Sequence, residues 1–401
     1  MAFFKLQRTG RRKRFRRALT VLTTAVLLVI TSNCRKSEST KQPLKPFAEV
    51  KASADGGDGK AQALAGWYYF FGREVQTNRT ESLRYWQQAA KQGNREAEFA
   101  IGFCHFHGLA GPTNVPEAIV WWKRAAESDQ IQAQLNLGIL FGVSLGTPRG
   151  EDEAVKWLLA AAKQGDSEAM MVVGYNYQYG LEARKDLKEG FHWLRKAATK
   201  GNTEAAFYLG LSYGKGQGTE QDLVEAAKWF QRSAEAGNTL AQAALGSRYL
   251  LGKGVKQNDG QAFKWFLRSA EAGEMLGQYE VGISYRDGRG TTTNVSQGFV
   301  WLTRSAAQGF AKAEETLGEA YAQGIGLNAD LIEAYKWFLL ASAQGYEPAK
   351  KSRDALKRKL TADQVGEAGH RAREFVPKPG FARPDVNLRA LGVTSMEYLE
   401  K

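Results

Sequence analysis

Seven of the ten tryptophans stand at a fixed interval of 36 residues: Trp121, Trp157, Trp193, Trp229, Trp265, Trp301 and Trp337. Tyr85 holds the same place one interval earlier, and glycine keeps the same beat at Gly66, Gly102, Gly138, Gly174, Gly210, Gly246, Gly282 and Gly318. Glycine makes up 43 of the 401 residues, so eight in register by chance has a probability of about 10⁻⁸. A unit this short cannot bury its own apolar face. Copies must stack, and each copy meets only its neighbours.

Within one interval two helices can be placed. Ala97, Ile101 and His105 recur at four-residue spacing around Gly102, which marks one helical face. Gly108 ends that helix, as glycine does at helix C-termini. The second helix starts at Asn78, Asn114, Gly150, Asp186, Asp222, Asn258, Asn294 or Asp330, with Glu or Gln three residues on in every copy. An Asn or Asp cap followed by Glu or Gln at the third helical position is the Asx form of a capping box. The in-register glycine lets neighbouring helices approach, and tryptophan fills space between the layers. After Ala349 the beat fades. Two polar helices are still predicted over 350–375, with Thr361 and Gln364 as a capping box. They form a capping hairpin, and a proline-containing tail covers 376–401.

Ala205 to Gly216 and Ala226 to Gly237 show the motif most fully: Ala-x-x-x-Leu-Gly-x-x-Tyr-x-x-Gly, then Ala-x-x-Trp-Phe-x-x-Ser-Ala-x-x-Gly. This pattern resembles the Sel1-like repeat, a relative of the 34-residue tetratricopeptide repeat, and it covers residues 61–349 in eight copies. The resemblance implies an all-α fold, a right-handed α-solenoid of stacked helix-turn-helix repeats. It also implies an adaptor or scaffold that binds protein partners.

The ends carry the charge. The formal net charge is +13, of which residues 1–34 contribute +8 and residues 61–349 only −2. A nearly neutral body lacks the basic surface that nucleic acid requires. Arg11 to Arg17 reads RRKRFRR, and the uncharged run Ala18 to Ile30 follows. A basic start before a short apolar stretch is a secretory signal over 1–34. The run is too short for a comfortable membrane span of about 20 residues. Cys34 and the residues before it look like a bacterial lipoprotein signal, with Cys34 as the lipidated residue, although Asn33 departs from the usual small residue there. Cleavage without lipid and an uncleaved anchor are the alternatives. Each places the mature chain outside the cytoplasm, in the periplasm or cell envelope, with residues 35–60 as a flexible linker.

Chemistry is scarce in the sequence. Cys104, His105 and His107 are neighbours, but adjacent helical positions do not share a face, so no metal site is expected. There is no GxSxG elbow, no P-loop and no GxGxxG fingerprint, and neither a cofactor nor catalysis is expected. Positions three before, one after and four after the repeat glycine are expected to line a concave groove. There stand Trp67, Phe70, Phe99, Phe103, Phe106, Leu135, Ile139 and Tyr175 in the early copies, with Met171 beside them. Tyr279, Ile283, Arg286, Glu315, Glu319 and Ala322 hold those positions in the late copies. An apolar patch of this kind marks a binding site, whereas the bland alternative is that these aromatics are core. The leading expectation is a non-catalytic protein-binding scaffold. The alternative is a carbohydrate or cell-wall binder stacking sugars on Trp67, Phe103 and Tyr175, and a hydrolase is a third, weaker reading.

Overall fold

A computed structural model describes residues 45–377, apart from residues 110, 145–147 and 181–184. The expected signal segment over 1–34 with Cys34, the first part of the expected linker and residues 378–401 of the expected tail lie outside the described residues. Among the described residues there are nineteen helices and no strand. The chain divides into two compact units between Asn202 and Thr203.

The first unit opens with α1 (Phe47–Asp55), followed by four pairs: α2 (Gly59–Phe71) with α3 (Arg79–Lys91), α4 (Arg95–His107) with α5 (Val115–Glu127), α6 (Ile131–Ser144) with α7 (Pro148–Lys163), and α8 (Ser167–Tyr179) with α9 (Leu187–Thr199). The second unit holds α10 (Thr203–Lys215) with α11 (Leu223–Glu235), α12 (Thr239–Leu251) with α13 (Asp259–Glu271), α14 (Met275–Asp287) with α15 (Val295–Ala307), and α16 (Ala311–Gln323) with α17 (Leu331–Ala343). It closes with α18 (Glu347–Lys357) and α19 (Ala362–Glu374). Within each unit consecutive helices pack on one another, which is the α-solenoid arrangement.

The caps fall where the sequence puts them. Asn78, Asn114, Asp186, Asp222, Asn258, Asn294 and Asp330 each accept a hydrogen bond from the backbone N–H three residues on. The copy at Gly150 differs, because α7 already begins at Pro148. The reciprocal half of the box is not made in these caps. Glu117, Glu153 and Glu189 instead accept the indole N–H of Trp121, Trp157 and Trp193, at 3.0, 3.0 and 2.8 Å. One turn on, a cation lies over the indole face: Arg124 on Trp121, Arg232 on Trp229, Arg268 on Trp265 and Arg304 on Trp301, all within 4.7 Å of the ring centroid. Trp121 is thus held both edge and face by its own helix. Among the described residues, only Thr361 and Gln364, at the start of α19, form the full reciprocal box.

The repeat glycine serves the residue after the tryptophan position. A Cβ on Gly102 would stand 2.5 Å from Trp122 Cδ1, and one on Gly246 would stand 2.8 Å from the Phe266 ring. Trp86, Trp122, Leu158, Leu194, Phe230, Phe266, Leu302 and Phe338 all use this space and are almost completely buried. Polar bridges then join one repeat to the next. Gln62, Gln134, Gln242 and Gln278 donate their amides to Ala54, Ala126, Ala234 and Ala270 carbonyls at the end of the preceding second helix. Within single repeats, Ser233, Ser269 and Ser305 on the second helices donate to the Thr203, Thr239 and Met275 carbonyls at the starts of the first helices. The glutamine bonds give these last-turn carbonyls a second donor beside the backbone N–H that each already accepts.

The linker is shorter than the sequence suggests. Residues 47–55 of the expected flexible segment are helical, and α2 already starts at Gly59. Val50 and Ala54 are buried against Ala65, Tyr68 and Tyr85, and Phe47 stacks on Tyr68 at 5.6 Å. Ala54 takes the same bond from Gln62 that Ala126 takes from Gln134. α1 therefore packs on α2 as the second helix of one pair packs on the first helix of the next, covering the apolar end of the stack.

Candidate ligand-binding surface

The first helix of each pair carries the side chains that differ most between repeats. In the first unit these are aromatic. Trp67 stacks on Phe71 at 5.7 Å and meets Phe70 and Trp86 edge-on. Phe70 reaches Phe103 of the next repeat at 6.4 Å, and Phe103 touches Phe99 and His107 on its own helix. Phe106 packs on Trp122 at 5.1 Å.

Most of this band is closed. Phe70, Phe99, Phe103, Phe106 and Leu135 are at most 6 % exposed. The expectation of an open groove along these five is corrected accordingly. Glycine and alanine draw successive helices so close that α4 and α6 touch neighbours on almost every side. Trp67, Ile139 and Tyr175 are half-buried, and Phe71, which the sequence reading passed over, is 41 % exposed. Met171 is buried. On the first helices of the first unit, Trp67 with Phe71 and the separate edges of Ile139 and Tyr175 are reachable apolar surface.

In the last two repeats the same positions are more polar. Tyr279, Arg286 and Glu315 are half-buried, Glu319 is exposed and Ile283 is core. Burial, reinforced by the neighbouring Glu319 carboxylate, pushes the Glu315 carboxyl up to about 7. Arg286 pairs with Asp287 at 2.6 Å.

The Cys104–His105–His107 cluster offers no reactive site. Cys104 is a free thiol, 4 % exposed, and burial pushes it up to about 12. Burial also pulls His107 down to about 4, so it stays neutral at physiological pH. A protonated buried thiol is a poor nucleophile. Among the described residues no group of three or more His, Cys, Asp or Glu side chains is placed to hold a metal ion.

The family model described as Sel1 repeat matches eight consecutive segments: residues 59–94, 95–130, 131–166, 167–202, 203–238, 239–274, 276–310 and 311–346. The chain belongs to the Sel1-repeat family. The matched segments begin at the first helix of each pair and end just after the second. A solved Sel1 repeat protein from Oxalobacter formigenes is 28 % identical, with 79 % of this chain and 95 % of that one covered at a TM-score of 0.61. A protective antigen of uropathogenic Escherichia coli strains, described as displaying an SLR fold, is 25 % identical over 87 % of this chain and 98 % of its own, at a TM-score of 0.34. No curated protein matches the chain. The Sel1-repeat fold generally mediates protein–protein interaction, and proteins of this kind are generally non-enzymatic scaffolds.

Proposed function

We propose that this Sel1-repeat protein is an exported, membrane-anchored scaffold that binds a protein partner through the first helices of its repeats and catalyses no reaction. One observation carries the reading. Polar residues that recur among the repeats are spent on the fold, as caps, tryptophan partners and carbonyl bridges. The side chains that vary from repeat to repeat lie on the first helices, where Trp67 and Phe71 retain exposed aromatic surface. A preformed array of this kind binds an extended or helical segment with little ordering cost. The basic and apolar stretch before Cys34 supports export, and a lipid on Cys34 would provide the anchor.

Metabolic labelling with a palmitate analogue, in wild type and a Cys34→Ser variant, tests the anchor. Label and membrane fractionation are expected in wild type alone; equal fractionation of both proteins, unlabelled, would refute it. Cross-linked capture from the same membranes, with wild type and a Trp67→Ala/Phe71→Ala variant, tests the partner surface. A protein captured by wild type and lost from the variant supports the scaffold. Recovery of wall glycan in its place would transfer the role to carbohydrate binding.

A further inference from the structure

α19 is the exception to the stacking. In the eight pairs before it a second helix closes on the first, but α19 packs back on α17 and not along α18, to which residues 358–361 join it. The sequence supplies the cause. Asp354 on α18 stands where the repeat glycine is due, 36 residues after Gly318, and it is exposed. A Cβ on Gly318 would already stand 2.5 Å from the Phe338 ring. An aspartate at this place therefore keeps a second helix off α18.

The outer face of α17 is apolar where other second helices are charged. Leu340 holds the place of Arg124, Arg232, Arg268 and Arg304, and Leu339 that of Lys123 and Arg195. Val365 and Ala368 of α19 pack in one cluster with Ile332, Tyr335 and Leu339, and Phe375 meets Trp337 edge-on at 5.4 Å. The hold is slight, because Ala368 is the one buried residue of α19. The helix is braced by its own bonds, the Thr361–Gln364 box and Arg371 to Glu367 at 2.8 Å.

Docking also strands a polar group. Glu333 stands four residues before Trp337, the place from which Glu117, Glu153 and Glu189 accept an indole N–H. Here the carboxylate is taken by Lys336 and, at 3.4 Å, by Arg371 of α19. With Phe375 against its ring, Trp337 is the one indole among the described residues whose N–H is both buried and without an acceptor. An orphaned donor weighs against the docked state. We infer that α19 is a latch on the last repeat. It lifts off α17 as a unit while the repeats stay folded, bares the face of Ile332, Tyr335 and Leu339, and frees Glu333 from Arg371 so that the Trp337 indole regains an acceptor or water. The latch is independent of the partner surface proposed for the first helices.

The test is native-state hydrogen exchange of the full chain, with indole N–H signals followed by NMR and Trp337 assigned through Trp337→Phe. In wild type, α19 amides should exchange at least roughly tenfold faster than those of α16, corrected for intrinsic rates, under conditions that leave the repeats folded. The Trp337 indole N–H should share the α19 opening equilibrium. The Trp122 indole, bonded to the Phe99 carbonyl, should exchange only when its own repeat opens. Arg371→Gln removes the charged tie to Glu333 and should raise α19 and Trp337 exchange together, by roughly threefold or more. Ala368→Asp puts a charge into the buried contact and should hold the latch open, moving the Trp337 N–H signal toward those of Trp121 and Trp193. Fast α19 exchange with the Trp337 indole still protected would mean fraying of a docked helix and would overturn the inference. So would α19 amides as protected in wild type as those of α16.

Discussion

Replacing Gly102 by alanine should destabilise the first unit, although alanine is the better helix former. In α4 the exchange gains about 1 kcal/mol of helix propensity. Against this, the new Cβ would stand 2.5 Å from Trp122 Cδ1 and 2.7 Å from its Nε1. Trp122 has no exposed surface to yield into, and its indole donates to the Phe99 carbonyl at 3.3 Å. Overpacking of this kind costs about 1–3 kcal/mol, and losing the buried hydrogen bond adds about 1 kcal/mol. The net expectation is a loss of about 2 kcal/mol. Gly366 is the internal contrast, because it sits inside α19 with nothing within 4 Å of its would-be Cβ. Gly366→Ala should instead stabilise by up to about 1 kcal/mol. Urea denaturation followed by circular dichroism, with hydrogen exchange to localise the change, reads both. If Gly102→Ala is as stable as wild type or more so, the close approach of helix and tryptophan does not hold the repeat together.

Three further outcomes follow from buried or capping groups. Glu274, fully buried, caps α14 by accepting the Gly277 N–H at 2.7 Å, and burial raises its pKa. Its stabilising form is therefore the acid, fully present below the ordinary carboxyl range and lost as pH rises through the raised value. Glu274→Gln should be more stable than wild type at neutral pH, with the gap closing toward pH 4 in pH-dependent urea melts; Gln130 already caps α6 in this way, at 2.6 Å. Glu315 should titrate near its raised value of about 7 by carboxyl NMR, with stability present in acid and lost between the ordinary carboxyl range and neutrality. Glu319→Gln should lower that pKa. Asn114→Ala should cost about 1 kcal/mol in the same urea assay by removing the bond to the Glu117 N–H.

The period and the caps are legible in the sequence because they depend on residue identity: tryptophan, glycine, Asn or Asp at fixed positions. The close contacts are less so. The residue that fills the space above the repeat glycine is Trp122, Leu158 or Phe230 by turns, so it recurs as a size and not as a letter. α1 escapes notice for the same reason, since Glu49 and Val50 stand where later repeats place Trp121 and Trp122. Phe99, Phe103 and Phe106 do share the face that helical spacing assigns them. Spacing along one helix does not say how near the next helix lies, and here the small residues bring it close enough to bury that face.

The central functional claim is that the first helices, and not the second, meet the partner. The most direct measurement places a photo-cross-linking phenylalanine analogue at Trp67 or Phe71 on α2, and separately at Val224 on α11 or Val300 on α15. The two valines are exposed on second helices, at 53 % and 45 %. After irradiation in intact cells, a discrete protein adduct is expected from positions 67 and 71 and from neither valine. Adducts from the valines with none from Trp67 or Phe71 would contradict it.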